Sequence, residues 1–132
     1  VQTSWAGHSY LLAKEFSQEG YTHIIAVGGD GTLHEVINGV LNSGNTPTVG
    51  LLPSGSGNDF AKTLNGPDNL EEVFDYIQQG YSYEIDAGKV RFMSSNGESE
   101  ERFFIYYEPY LMHSRYSYCK LIDIVLKCER TL

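Results

Sequence analysis

The chain is short of positive charge. Nine Lys and Arg stand against 17 Asp and Glu, a formal net charge of −8 over 132 residues. The deficit is local. Residues 1–105 carry 5 Lys/Arg and 14 Asp/Glu, a net of −9, whereas residues 106–132 carry 4 and 3, a net of +1. Nucleic acid is thereby excluded as a partner, because backbone phosphates need clustered Lys and Arg. The body likewise offers no basic patch for anionic lipid. Cysteine is scarce. Cys119 and Cys128 fit no zinc spacing and read as two reduced thiols of a cytoplasmic protein. No apolar run reaches the roughly 18 residues of a transmembrane helix, so any membrane contact is expected to be peripheral, at the inner face. No basic-then-apolar leader opens the chain. It starts at Val1 without Met, which suggests a fragment of a longer protein. Low-complexity stretches are lacking, and the length suits one domain.

Glycine, by contrast, is placed with a pattern. The apolar run His23 to Val27 enters Gly28-Gly29-Asp30-Gly31-Thr32, and a periodic helix follows at once. A second apolar run, Thr48 to Leu52, enters Pro53-Ser54-Gly55-Ser56-Gly57-Asn58-Asp59. So a strand meets a glycine loop twice, and each loop opens a helix. Glycines at such a junction let another group approach the bare backbone. Helix N-termini add unpaired N–H groups and a positive dipole end, which suits phosphate. A single glycine turn of this kind needs no ligand; two in tandem, with Asp30 in one and Asn58-Asp59 in the other, point to a binding site.

The first of these helices shows an apolar face at Leu33, Val36, Ile37, Val40 and Leu41. Thr32 and Glu35 have the spacing of a capping box, so the helix is expected to start at Thr32. Earlier, Val1 to Thr3 reads as a strand end. His8 to Glu19 reads as a helix with Leu11, Leu12 and Phe16 on one side, His8 exposed at its start and Gly20 as its stop. Continuous apolar strands alternating with helices predict a parallel sheet buried on both faces. Ligands of such sheets bind beyond the carboxyl ends of the strands, where both glycine loops would converge. Downstream, Asp59 to Leu64 reads as a short helix with Asn58 as N-cap. Asn65-Gly66-Pro67 breaks the chain, and Asp68-x-x-Glu71 starts a helix with a core face of Leu70, Val73, Phe74 and Ile77 that Gly80 ends. From Tyr81 the period becomes two. Lys89 to Met93 and Glu101 to Tyr106 flank Asn96-Gly97, a strong hairpin signal.

Gly28 to Thr32, Glu35-Val36, Asn38-Gly39 and Leu52 to Ala61 together resemble the catalytic domain of diacylglycerol kinases, a pattern shared by bacterial lipid kinases and sphingosine kinases. The first motif also occurs in NAD kinases and phosphofructokinases. The second, Pro-x-Gly-[Ser/Thr]-x-Asn-Asp-Phe, is what favours a lipid kinase. The resemblance runs from Val1 to about Phe104. It implies an α/β fold: a parallel-sheet nucleotide-binding domain of NAD kinase/diacylglycerol kinase type over residues 1–80, N-terminally truncated. A β-hairpin over 81–106 would then start an incomplete second, β domain, followed by a divergent tail over 107–132.

By the same resemblance, Thr3, Gly28, Gly29, Asp30, Gly31, Thr32, Leu33, His34 and Ser56 contact ATP. Thr3 and Gly7 match the family spacing, although Thr3 by itself better suits a loop-capping hydroxyl. His34 stands where bacterial relatives often have Asn. Gly55, Gly57, Asn58 and Asp59 are second-loop candidates. Asp30 is the catalytic candidate, near Mg²⁺-bound phosphate or the acceptor hydroxyl; the general base is expected in the absent second domain. Glu84 to Val90 resembles the exit from the nucleotide domain, and Asp86 reads equally as a turn residue. ATP, Mg²⁺ and a diacylglycerol-like lipid are the implied cofactors and partners. An NAD-kinase-like enzyme and a non-catalytic remnant of the same fold are the alternatives. After Ile105 the resemblance stops, and five of the ten tyrosines fall in 106–132. Leu121, Ile122, Val125 and Leu126 suggest a short, poorly packed helix. A frameshift, a chimera and genuine variation all remain open for this tail.

Overall fold

A computed structural model describes residues 1–63, 69–105 and 117–125. Its elements are α1 (His8–Gln18), β1 (His23–Gly28), α2 (Asp30–Leu41), β2 (Thr48–Pro53), α3 (Asp59–Thr63), α4 (Leu70–Gln78), β3 (Tyr83–Met93), β4 (Ser99–Ile105) and β5 (Ser117–Val125). The strands form one sheet in the order β1-β2-β5-β3-β4. β1 pairs with β2 in parallel, in a register that sets Gly28 against Pro53. β5 runs parallel to β2 and antiparallel to β3, which pairs antiparallel with β4. The α/β class with a parallel sheet is therefore as expected.

The core is built around α2. Leu33, Val36, Ile37, Val40 and Leu41 are all buried, together with Ile24, Ala26, Val49 and Leu51 of the parallel strands. Each such side chain contributes about 1.5–3 kcal/mol. The periodic face read from the sequence is thus the face that packs.

Several expectations change. Val1 to Thr3 form no strand. Ser4 N–H donates to His8 Nδ1 and His8 N–H to the Trp5 carbonyl, so the chain turns directly into α1. Three residues are too few for ladder bonds to outweigh the entropy of ordering them. His8 does start α1, half-buried and stacked on Trp5 at 3.8 Å between ring centroids. The buried side of α1 is Ser9, Ala13 and Ser17, with Leu11 at 52% exposure. The cause is the close crossing of α1 over α2. A Cβ on Gly39 would lie 3.0 Å from the Ala13 Cβ and inside the Tyr10 carbonyl, so only small residues fit between the helices. β1 is not buried on both faces either. Ile24 and Ala26 face the core, while Val27 is 54% exposed. β1 is the sheet edge, and Val73 of α4 packs over Gly50 of β2 instead.

Asn65-Gly66-Pro67, Leu64 and Asp68 lie outside the described residues. The N-cap of α4 is Asn69, whose Oδ1 accepts from Glu72 N–H at 3.0 Å, one residue later than the Asp68/Glu71 spacing suggested. On α4 only Val73 is buried; Leu70 and Phe74 are 43% and 51% exposed. β3 is one continuous strand, and the backbone of Asp86 lies within it, opposite Leu121, rather than in a turn. The Asn96-Gly97 hairpin is present: Gly97 has φ 83° and Ser94 and Glu98 close the turn. Ser117–Val125 form a strand, not a helix, between β2 and β3. The spacing of Leu121, Ile122 and Val125 suits a helix, but pairing with β2 and β3 makes the segment a strand. Leu126 and the tyrosines at 106, 107, 110 and 116 lie outside the described residues.

Candidate functional site: two glycine loops tied together

Parallel pairing of β1 and β2 delivers their carboxyl ends side by side, so the two glycine loops begin as neighbours. Three ties then join them. Ser54 N–H donates to the Gly28 carbonyl at 2.9 Å, extending the ladder past the strand ends. Gly29 and Gly55 touch backbone to backbone. A Cβ on Gly55 would stand 2.6 Å from the Gly29 Cα, and one on Gly29 would stand 3.2 Å from the Gly55 Cα. Glycine is required at both positions for this crossing. The third tie is Asp30. Its Oδ2 accepts the Asp59 N–H and its Oδ1 the Phe60 N–H, both at 3.1 Å.

Asp30 therefore caps α3, the helix of the other loop. Asn58 holds the N-cap position of α3 as expected, its carbonyl accepting the Lys62 N–H at 3.1 Å, but its side chain does not supply the cap bond. It sits at the entrance with φ 54°, and its side chain turns back to Gly55, accepting Gly55 N–H at 3.0 Å and donating to the Gly55 carbonyl at 2.6 Å. Asn tolerates the left-handed region, and this Asx-type closure uses its whole amide. The carboxylate from the first loop supplies the cap bond instead.

The capping box at Thr32 and Glu35 is also absent. α2 starts at Asp30 with Gly29 as N-cap and no side-chain cap bond. Thr32 lies a turn inside and packs its side chain on Gly28, where a Cβ would stand 2.6 Å from the Thr32 Cβ. Glu35 is freed from that role. Its Oε1 accepts the N–H of Gly7 at 2.9 Å, where Gly7 has φ 86° and caps α1. The first intrahelical bond of α2 runs from Leu33 N–H to the Gly29 carbonyl. The N–H groups of Asp30, Gly31 and Thr32 precede it and take no helical acceptor.

The other predicted residues scatter around this centre. Thr3 is exposed and lines a groove of about 440 Å³ along β1 that Thr32 also lines. Gly31 is open, with nothing within 4 Å of a Cβ. Gly57 lies against Asp30, with a Cβ position 3.2 Å from Oδ2. Ser56 is exposed on the second loop. Asp59 is exposed and stands 3.6 Å from Lys62, a pair of little energetic weight. Leu33 is only 1% exposed, a core residue that lends the site its backbone alone. His34 is exposed on another side of α2, beside a cavity of about 490 Å³ shared with Tyr10, Glu35, Asn42 and Arg102.

For phosphate, the donors fit: a turn of free N–H groups, a positive helix end and an unobstructed Gly31. For Mg²⁺, the described residues contain no cluster of three or more His, Cys, Asp or Glu. An all-protein cage is thus not what they offer. Each Asp30 oxygen keeps a second lone pair after its N–H bond, which fits the one-carboxylate contact Mg²⁺ commonly makes.

Sequence reading missed two polar residues of α2. The Thr32/Glu35 spacing points Glu35 at the wrong partner. Asn38 stands out in the sequence only as part of the Asn38-Gly39 pattern, although an amide among Ile37, Gly39 and Val40 on an apolar face is itself a signal of a buried pairing.

A profile of the diacylglycerol kinase catalytic domain matches residues 1–90. Proteins named diacylglycerol kinase from Staphylococcus aureus strains JH9 and Newman are 40% identical over 88 residues, 67% of this chain. The chain spans 28% of the length of these relatives. A solved diacylglycerol kinase from Bacillus anthracis strain Sterne superposes with a TM-score of 0.58 at 29% identity, covering 75% of this chain and 32% of that one.

Proposed function

This chain belongs to the diacylglycerol kinase catalytic domain family, and on that premise we propose that it forms the ATP-binding part of a lipid kinase whose acceptor is the hydroxyl of a diacylglycerol-like lipid. One observation carries the reading: two glycine loops are pinned together beyond parallel strands, with the free first turn of α2 facing outward from the junction. Residues 1–80 are then the nucleotide-binding part, and the hairpin over 81–106 leads into a second domain.

In phosphoryl transfer the lipid oxygen attacks the γ-phosphorus, the bond from phosphorus to the ADP oxygen breaks, and the hydroxyl proton passes to a base. Positioning and charge neutralisation supply most of the rate. Here Asp30, Gly31 and Thr32 would donate N–H groups to phosphate oxygens. Gly29 and Gly55 let the two loops close on each other, and Gly31, with nothing within 4 Å of its Cβ position, leaves the backbone bare for phosphate to approach. Asp30 fixes the second loop, and its remaining lone pairs would hold a cation. Bound Mg²⁺ would neutralise phosphate charge there. Nothing in the described residues is assigned as the base, so the isolated chain is expected to be nearly inert, with the base and the lipid pocket supplied by a second domain. No helix among the described residues is long and apolar enough to cross a membrane, which suits peripheral contact with a lipid substrate.

The test has two arms. ATP with Mg²⁺ at about 100 times its Kd should raise the stability of the chain by about 2.7 kcal/mol. Gly55→Ala should abolish that gain, because its Cβ would push Gly29 away. The full-length protein should transfer labelled phosphate from ATP to diacylglycerol and not to NAD. Absence of an ATP-dependent shift, or transfer to NAD instead of lipid, overturns the reading. Robust diacylglycerol turnover by the isolated chain overturns the expectation of inertness.

A further inference from the structure

Asn38 lies in the middle of α2 at 6% exposure. Its Oδ1 accepts the Phe103 N–H at 2.8 Å, and its Nδ2 donates to the Phe103 carbonyl at 2.8 Å. The second Nδ2 hydrogen goes to the carbonyl of His34, one turn back, at 2.9 Å. Phe103 belongs to β4, the edge strand of the sheet, and faces Lys89 of β3 on its inner side. Its outward N–H and carbonyl would otherwise be an open edge. One helical side chain supplies both bonds that a neighbouring strand residue would give, and the bond to His34 fixes its rotamer.

Packing alone does not call for this residue. The neighbouring Ile37, Val40 and Leu41 are buried and apolar, and an amide among them is costly unless fully paired. Here it is paired, over a sequence separation of 65 residues. α2 is also the helix whose first turn, Asp30 to Thr32, follows directly on Gly28 and Gly29. From Gly31 to Asn38 the helix rises about 10 Å, a rigid span. The same rod therefore holds the phosphate-facing turn at one end and the β3–β4 hairpin further along.

We propose that Asn38 is a positioning residue of the kinase: it locks the β3–β4 hairpin to α2 and so fixes the distance between the glycine loops and the part of the protein that the hairpin leads into. This rests on the kinase reading above. Asn38 touches neither loop, so nucleotide binding should not need it, whereas transfer between ATP and an acceptor held on the other side should. A misplacement of about 1 Å remote from the chemistry can lower turnover by up to about a hundredfold.

The experiment compares Asn38→Asp and Asn38→Ala with the wild type in the full-length protein. Asp keeps the shape and the acceptor for Phe103 N–H but sets an oxygen against the Phe103 and His34 carbonyls. Ala removes the tie without repulsion and serves where Asn38→Asp fails to fold. Melting curves set a temperature at which each variant is folded. The expected result is faster hydrogen exchange at the Phe103 amide, a KM for ATP within about threefold of wild type, and a kcat lowered by about tenfold or more. A folded variant with wild-type kcat overturns the positioning role, as does one whose loss lies in the KM for ATP. Unchanged exchange at Phe103 in both variants overturns the lock itself. A wild type without ATP-dependent lipid phosphorylation overturns the kinase reading, and the positioning role with it, while the exchange result still reports on the lock.

Discussion

Replacing Asp30 by Asn tests how the two loops are joined. The carboxylate accepts two backbone N–H groups, from Asp59 and from Phe60, one on each oxygen. Asn keeps volume and turn preference but offers one acceptor. The other N–H is then left facing an NH₂ group. Hydrogen bonds to a charged acceptor contribute about 1.5–3 kcal/mol net and neutral ones about 0.5–1.5. Exposure of Asp30 places this site at the low end of both ranges. One bond lost and one weakened gives about 2 kcal/mol against the closed arrangement of α3. The Thr32/Glu35 spacing gives the capping of α2 to those two residues and leaves Asp30 no part in holding a helix end. The structure reverses that, because the helix it caps is α3 and not α2. The assay is native-state amide exchange. The Asp59 and Phe60 amides should exchange about 30-fold faster in the variant, 1.4 kcal/mol being tenfold. Those of Ile24 to Val27 should change little, because β1 pairs with β2 independently of this tie. Equal acceleration everywhere would mean global destabilisation. No acceleration at Asp59 and Phe60 would refute the capping role.

Two further perturbations probe the frame. Gly39→Ala should cost about 1–3 kcal/mol in urea unfolding, because its Cβ meets the Tyr10 backbone and Ala13 across the α1–α2 crossing; a neutral substitution would mean the helices cross less closely. Glu101 accepts from Arg91 and pairs with Lys89 at 3.0 Å, and these partners, Arg91 first, hold its carboxyl below the ordinary value of 4.5. A lowered carboxylate pKa stabilises the fold above the unfolded value and loses that contribution as pH falls through the folded value. Unfolding should therefore become easier below pH 4.5 in the wild type, and Glu101→Gln should flatten that limb; parallel acid profiles for the two proteins would contradict it.

Sequence made the frame legible where one period dominates. The apolar face of α2, the glycine stops at Gly20 and Gly80 and the Asn96-Gly97 hairpin all appear in the structure as read. These are signals contained within one element. What escaped was set by contacts between elements. Leu11 looks like a core residue of α1, yet Gly39 draws the helices so close that Ser9, Ala13 and Ser17 take the interface. Val27 looks buried in an apolar run, yet β1 is an edge. Leu121, Ile122 and Val125 satisfy a helical spacing, yet they pair in β5 between β2 and β3. Edge or centre, and near or far, are properties of the assembled sheet that no local window encodes.

The site follows the same logic one level up. Both glycine loops were legible, since glycine density is local. The means of joining them was not, because α2 works through side chains that reach backbone groups of three distant segments. Asp30 reaches α3, Glu35 reaches Gly7, and Asn38 reaches Phe103, at sequence separations of 29 and 30, 28, and 65 residues. Asp30 and Glu35 each have a plausible local use in the sequence, as turn residue and as capping-box partner. Both are released from that use by Gly29, which serves as N-cap without a side chain and starts α2 at Asp30. Had Thr32 been the cap, Glu35 would have folded back on it and Asp30 would have stood outside the helix. The three-residue shift of the cap, from Thr32 to Gly29, is what frees Asp30 for the second loop and Glu35 for the α1 entrance, and with Asn38 on the β4 edge α2 becomes the hub of all three.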